Sequence, residues 1–78
     1  MASLKSGKEI LTSNNDTLQI NFVQGVFQNP PVVVVSNNEN INLYLHEITS
    51  NYVIIKTNNP VNYNVEIYYS AIETETWG

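Results

Sequence analysis

The stretch Thr17-Leu18-Gln19-Ile20-Asn21-Phe22-Val23 decides the fold class. In an extended chain successive side chains point to opposite faces, so Leu18, Ile20 and Phe22 share one face and Gln19 and Asn21 the other. That is a strand with one side against a core and one side wet. The same period returns further along. Ile41, Leu43 and Leu45 alternate with Asn42, Tyr44 and His46. Val61, Tyr63, Val65, Ile67, Tyr69 and Ala71 alternate with Asn62, Asn64, Glu66, Tyr68 and Ser70. Two runs do not alternate. Val32-Val33-Val34-Val35 and Tyr52-Val53-Ile54-Ile55 are apolar on both sides, which predicts strands covered on both faces. Lys8 to Ser13 is a weaker first strand, bringing the expected total to six.

Between these segments lie turn clusters: Ser13-Asn14-Asn15-Asp16, Asn29-Pro30-Pro31, Ser36-Asn37-Asn38-Glu39-Asn40, Ser50-Asn51 and Asn58-Asn59-Pro60. Asparagine tolerates left-handed backbone and hydrogen-bonds its own chain, so each cluster has a physical reason to turn. Gly25, within Val23-Gln24-Gly25-Val26-Phe27, reads as a bulge or bend between paired strand segments. No segment sustains a helical period. Short strands spaced by roughly 8–12 residues predict an all-β sandwich or barrel. The whole chain, residues 1–78, reads as one domain with its core from about residue 8 to 73 and a flexible tail at 74–78.

Charge and composition remove several function classes. The cations are Lys5, Lys8 and Lys56, with no arginine, against seven acids, for a net charge of −4. Nucleic-acid binding requires clustered positive charge, and anionic membrane surfaces repel a chain of this sign, so neither partner is expected. The longest apolar run, Val32 to Val35, is far shorter than the roughly 18 residues of a spanning helix. MASLKSGKE lacks the apolar stretch of a signal peptide, and the chain reads as complete from Met1. A surface resting on asparagine, threonine and serine suits extracellular or virion proteins.

Catalytic chemistry finds no foothold, and the expectation is a non-enzyme with no cofactor. His46 is the sole histidine and there is no cysteine, so neither a nucleophile–base pair nor metal-ligand spacing is available. Glu73 and Glu75 read as a solvated rim, short of the ligand count a calcium ion requires. Glycine occurs only at Gly7, Gly25 and Gly78, leaving no phosphate-cradling loop.

Association is the function the residues favour. A chain of this size buries only about 60% of the surface its unfolded form exposes. A sandwich needs one apolar face per sheet, yet apolar residues remain for a second. Val33 or its neighbours in the run, Val53, Ile55, Tyr68 and Ile72 are therefore the candidate subunit interface, on the outward face of a sheet. An alternative is sugar binding. It would use the asparagine-rich loops together with the flat faces of Tyr44, Tyr52, Tyr63, Tyr68, Tyr69 and Trp77, although tyrosine is equally at home in a β core.

Leu4-Lys5-Ser6-Gly7, Leu18-Gln19-Ile20-Asn21-Phe22, Phe27-Gln28-Asn29-Pro30-Pro31-Val32-Val33-Val34-Val35-Ser36, Thr49-Ser50-Asn51-Tyr52-Val53-Ile54 and Ile67-Tyr68-Tyr69-Ser70-Ala71 together resemble the H-type lectin pattern. That pattern has an early Ser-Gly, an I-x-F strand, an F-x-x-P-P-x-V strand, a T-x-x-aromatic strand and a closing W-x-A. Asn51 stands where the family usually has glycine, and Tyr69 where it has tryptophan. The resemblance implies a six-stranded antiparallel β-sandwich assembling as a homotrimer, and it carries over no site residue. Similar sandwiches occur at bacteriophage tail-fibre tips and in small virion proteins. By that analogy the chain is expected in the virion, as a trimeric capsid or tail decoration or cement protein contacting other virion proteins. A carbohydrate-binding module for glycans or a host receptor is the alternative.

Overall fold

A computed structural model describes residues 3–39 and 41–73. They form six strands: β1 (Ser3–Leu11), β2 (Thr17–Asn21), β3 (Val32–Asn37), β4 (Tyr44–Ile48), β5 (Tyr52–Lys56) and β6 (Val65–Glu73). All pairings are antiparallel and build two three-stranded sheets, ordered β1-β6-β3 and β2-β5-β4. The protein is an all-β sandwich of six antiparallel strands, as the alternation and turn spacing predict.

The strand limits differ from the sequence expectation where the apolar period is weak. β1 begins at Ser3, so the folded unit starts well before residue 8. Lys5, Ser6, Gly7 and Lys8 carry no strand-like pattern; pairing with β6 from Ser3↔Glu73 to Leu11↔Val65 is what extends them. β6 starts at Val65, and the preceding Val61 to Asn64 forms part of a loop. β4 runs to Ile48 because a bulge between Leu45 and Glu47 resets its phase at His46. The expected tail at 74–78, with Glu75 and Trp77, lies outside the described residues.

The core lies between the sheets. Leu11, Val33, Val65, Ile67, Tyr69 and Ala71 come from the first sheet, and Ile20, Val53 and Ile55 from the second. Phe22 and Phe27 close one end edge to face, with ring centroids 4.9 Å apart and planes at 77°. The turn between them has Gly25 at φ 90° and a hydrogen bond from the Val26 N–H to the Val23 carbonyl (3.1 Å). Glycine at the third position of a type II turn is therefore its role: of the expected bulge or bend it is the bend, and it lies in a loop and not between paired segments.

Three of the five candidate interface residues are corrected by this packing. Val33, Val53 and Ile55 face inward, and Val53 is 0% exposed. Val33 sits opposite Ala71, Val53 opposite Ile20 and Ile48, and Ile55 opposite Leu18 and Leu45, all on the core side. In a run apolar on both sides, alternation has no phase, and the partner strand decides which half is buried. The expectation that Val32 to Val35 is covered on both faces is corrected for the same reason: Val32 and Val34 are exposed. Tyr68 and Ile72 do lie on the outer face.

Apart from the β4–β5 hairpin, each connection crosses between sheets, so the strands run alternately up and down. One end of the sandwich consequently collects the loop residues 12–16, 38–39, 41–43 and 57–64. The other collects 22–31, the 49–51 hairpin and the start of β1.

Candidate functional site

The outer face of the first sheet is the candidate site, and the register places its residues. Leu4, Ile72 and Val32 lie side by side across β1, β6 and β3. The next row is Ser6, Ser70 and Val34, then Lys8, Tyr68 and Ser36. Ile10 and Glu66 follow. The first two rows form an aliphatic block with small serines between its members. Leu4 is 64%, Val32 56%, Val34 60% and Ile72 37% exposed. Isolated exposed aliphatics are ordinary on a protein surface; four adjacent ones on one sheet face are not.

The far end of this face is polar. The Tyr68 hydroxyl donates to the Glu66 carboxylate (2.5 Å), and Lys8 Nζ lies 3.8 Å from the same carboxylate. The hydrogen bond favours the neutral phenol, so it holds the Tyr68 pKa above the usual tyrosine value; lost hydration and the nearby negative charge push the same way. The apolar end is braced differently. Glu73, at the end of β6, accepts the backbone N–H groups of Gln28 (3.1 Å) and Asn29 (2.5 Å). That carboxylate, expected as a solvated rim, is tied to the loop that leads into Val32.

The outer face of the second sheet has another character. Thr17, Lys56 and Tyr44 form one row, with Gln19, Ile54 and Glu47 in the next and Asn21 beside Tyr52 beyond. Gln19 Nε2 donates to Asn21 Oδ1 (2.9 Å), and the Tyr52 hydroxyl donates to Glu47 (3.0 Å). That second bond likewise raises the Tyr52 pKa, chiefly through the hydrogen bond and then through desolvation and charge. This face is polar and locally satisfied.

The aromatic residues considered for sugar binding are dispersed. Tyr44 and Tyr52 lie on the second sheet, Tyr68 on the first, Tyr63 in an exposed position of the 57–64 loop, and Tyr69 in the core. Several asparagines are occupied by their own loops. Asn37 Oδ1 accepts the Glu39 and Ile41 N–H groups (3.0 and 3.4 Å) while its Nδ2 donates to the Ile41 carbonyl (2.9 Å). Asn38 Oδ1 accepts the Glu66 N–H (3.2 Å), and Asn64 Oδ1 accepts the Ser13 N–H (2.9 Å). Asn14 takes the left-handed conformation, φ 66°, that the turn reading anticipates.

Among the described residues, no three acidic or histidine side chains converge as a metal site would require. His46 occupies the β4 bulge and is exposed. The sequence reading did not single out Leu4 for the outer apolar face, and it reached Val32 and Val34 only as neighbours of Val33. The signal that could have found them was the in-phase match of Leu4, Val32, Val34 and Ile72 once β6 is placed centrally. No protein-family model and no curated protein matches this chain. What the geometry defines is a small antiparallel β-sandwich with one apolar outer sheet face.

Proposed function

We propose that this chain is a non-enzymatic structural protein of a bacteriophage particle, a trimeric decoration or cement subunit attached to a capsid or tail surface. The observation that carries the reading is the exposed block Leu4, Val32, Val34 and Ile72 on the outer face of the first sheet. Burying an aliphatic side chain contributes roughly 1.5–3 kcal/mol from full exposure, and these four are about half exposed. Together they contribute about 3–6 kcal/mol, which reaches the lower end of the cost of association, about 4–15 kcal/mol. Arranged around a three-fold axis, the block would be covered by neighbouring subunits, and the loops or termini would grip the shell. The resemblance to H-type lectin sandwiches supports the trimer. Within it, Gly7 and Tyr69, from two of the resembling motifs, pack against each other.

Light scattering at micromolar concentration tests the assembly: the expected species is a trimer of the 8.8 kDa chain or a multiple of that trimer, and a clean monomer contradicts it. Copurification with virions at fixed stoichiometry tests the location.

A second reading, a carbohydrate-binding module for glycans or a host receptor, is favoured by one specific observation. The strand order gathers Asn14, Asn15, Asn58, Asn59 and Asn62 with exposed Tyr63 at a single end. Sugars are commonly held by amide groups beside a flat apolar ring. A glycan array with no signal above background would remove this reading.

A further inference from the structure

β1 is an edge strand of nine residues, and among the described residues no strand pairs with its outer side. It also overhangs the sandwich. Lys5, Gly7, Glu9 and Leu11 point toward the second sheet, yet Gly7 and Glu9 are exposed and only Leu11 is buried. A long unpaired edge is a template for another strand unless something opposes pairing, and the charges that ordinarily blunt such an edge, here Lys5, Lys8 and Glu9, permit it only in a register that matches them. We propose that β1 pairs antiparallel with β1 of a second copy, across a two-fold axis at Gly7.

The charges select that register. Centred on Gly7, Lys5 stands opposite the partner's Glu9 and Glu9 opposite the partner's Lys5. On the other face Leu4 stands opposite the partner's Ile10, and Ile10 opposite the partner's Leu4. Both exposed aliphatics thereby gain an apolar neighbour. Ser6 meets the partner's Lys8. Neighbouring registers fail. Centring on Ser6 puts Leu4 against Lys8, and centring on Lys8 puts the two Lys8 side chains face to face. Only one in-phase arrangement near the strand centre matches charge with charge and apolar with apolar on both faces. The overhang leaves room for it, because β2 does not cover the Gly7 and Glu9 side of the strand. Two sandwiches would then share one continuous sheet, β3-β6-β1-β1-β6-β3, and the aliphatic block of each would be lengthened by the partner's Ile10.

This contact uses a strand edge and is independent of the outer-face trimer; the two together would give a larger particle. The test exchanges charge. K5E sets two carboxylates against each other at both ends of the contact, and E9K sets two ammonium groups there. Each alone is expected to weaken the edge contact about tenfold or more, since the repulsion occurs twice per contact. An equimolar mixture of K5E and E9K is expected to recover association, and native mass spectrometry should find the two variants paired one to one. The double variant K5E/E9K, with unchanged net charge, recovers it alone. K56E matches the net charge of K5E but sits on the second sheet, so it should associate as the wild type does. V34K removes the outer-face assembly and leaves edge pairs, which separates failure of the trimer from failure of this proposal. Wild-type association by K5E and E9K, or a mixture no tighter than either variant alone, overturns it.

Discussion

The hydroxyl of Tyr69 lies where a side chain on Gly7 would begin: a Cβ placed at residue 7 falls 3.1 Å from that oxygen and 3.3 Å from two ring carbons. The ring belongs to the buried core, so it has little room to retreat. Glycine in a strand interior is ordinarily a weakness that alanine relieves. Here the sign reverses. Gly7→Ala is expected to destabilise by about 1 kcal/mol, and Gly7→Val by about 2–3 kcal/mol, as overpacking does. Urea denaturation checks this; a higher midpoint for Gly7→Ala would show that the ring yields freely.

Charge introduced on the two sides of a sheet should have opposite consequences. Val53→Lys places an ammonium in a fully buried position among Ile20, Ile48 and their neighbours. A cost of several kcal/mol is expected, enough to unfold a domain of this size. Val34→Lys projects into solvent and should leave the thermal midpoint within a few degrees of wild type while lowering the assembled mass. Circular dichroism and light scattering on the same two variants read both effects. An unfolded Val34→Lys, or a folded Val53→Lys, would contradict the assigned phase.

Tyr52 and Tyr68 report on their carboxylate partners. Each donates to a glutamate, and each pKa is raised. The sign follows from linkage: a raised folded value contributes stability that is complete below the unfolded tyrosine pKa of about 10. That contribution is lost as pH climbs through the folded value. Following tyrosinate absorbance, Glu47→Gln and Glu66→Gln should each move one phenol down toward the ordinary value. A titration curve identical to wild type would mean that solvent has already broken these exposed bonds.

Glu73 joins the end of β6 to the 22–31 loop by accepting two consecutive backbone N–H groups. Glu73→Ala is expected to cost about 1–2 kcal/mol, the range for hydrogen bonds to a charged acceptor reduced for exposure. Hydrogen exchange should accelerate at Gln28 and Asn29 before it does in β5. Glu73→Gln keeps one acceptor and should recover part of the loss.

Read alone, the chain already determined its class and most of its elements. Period-two alternation in Thr17–Val23 and Val65–Ala71, with asparagine clusters between strands, is a local property that needs no neighbour to express it. Tertiary structure alone decided which half of Val32–Val35 and Tyr52–Ile55 faces inward, because a uniformly apolar strand acquires a side only from the register of its partner. It also made a nine-residue strand of Ser3–Leu11, whose lysines and glycine carry no pattern, through the ladder offered by β6. The candidate surface followed from those two decisions. Leu4, Val32 and Ile72 are far apart in sequence and become one patch only when antiparallel pairing lays them in a row.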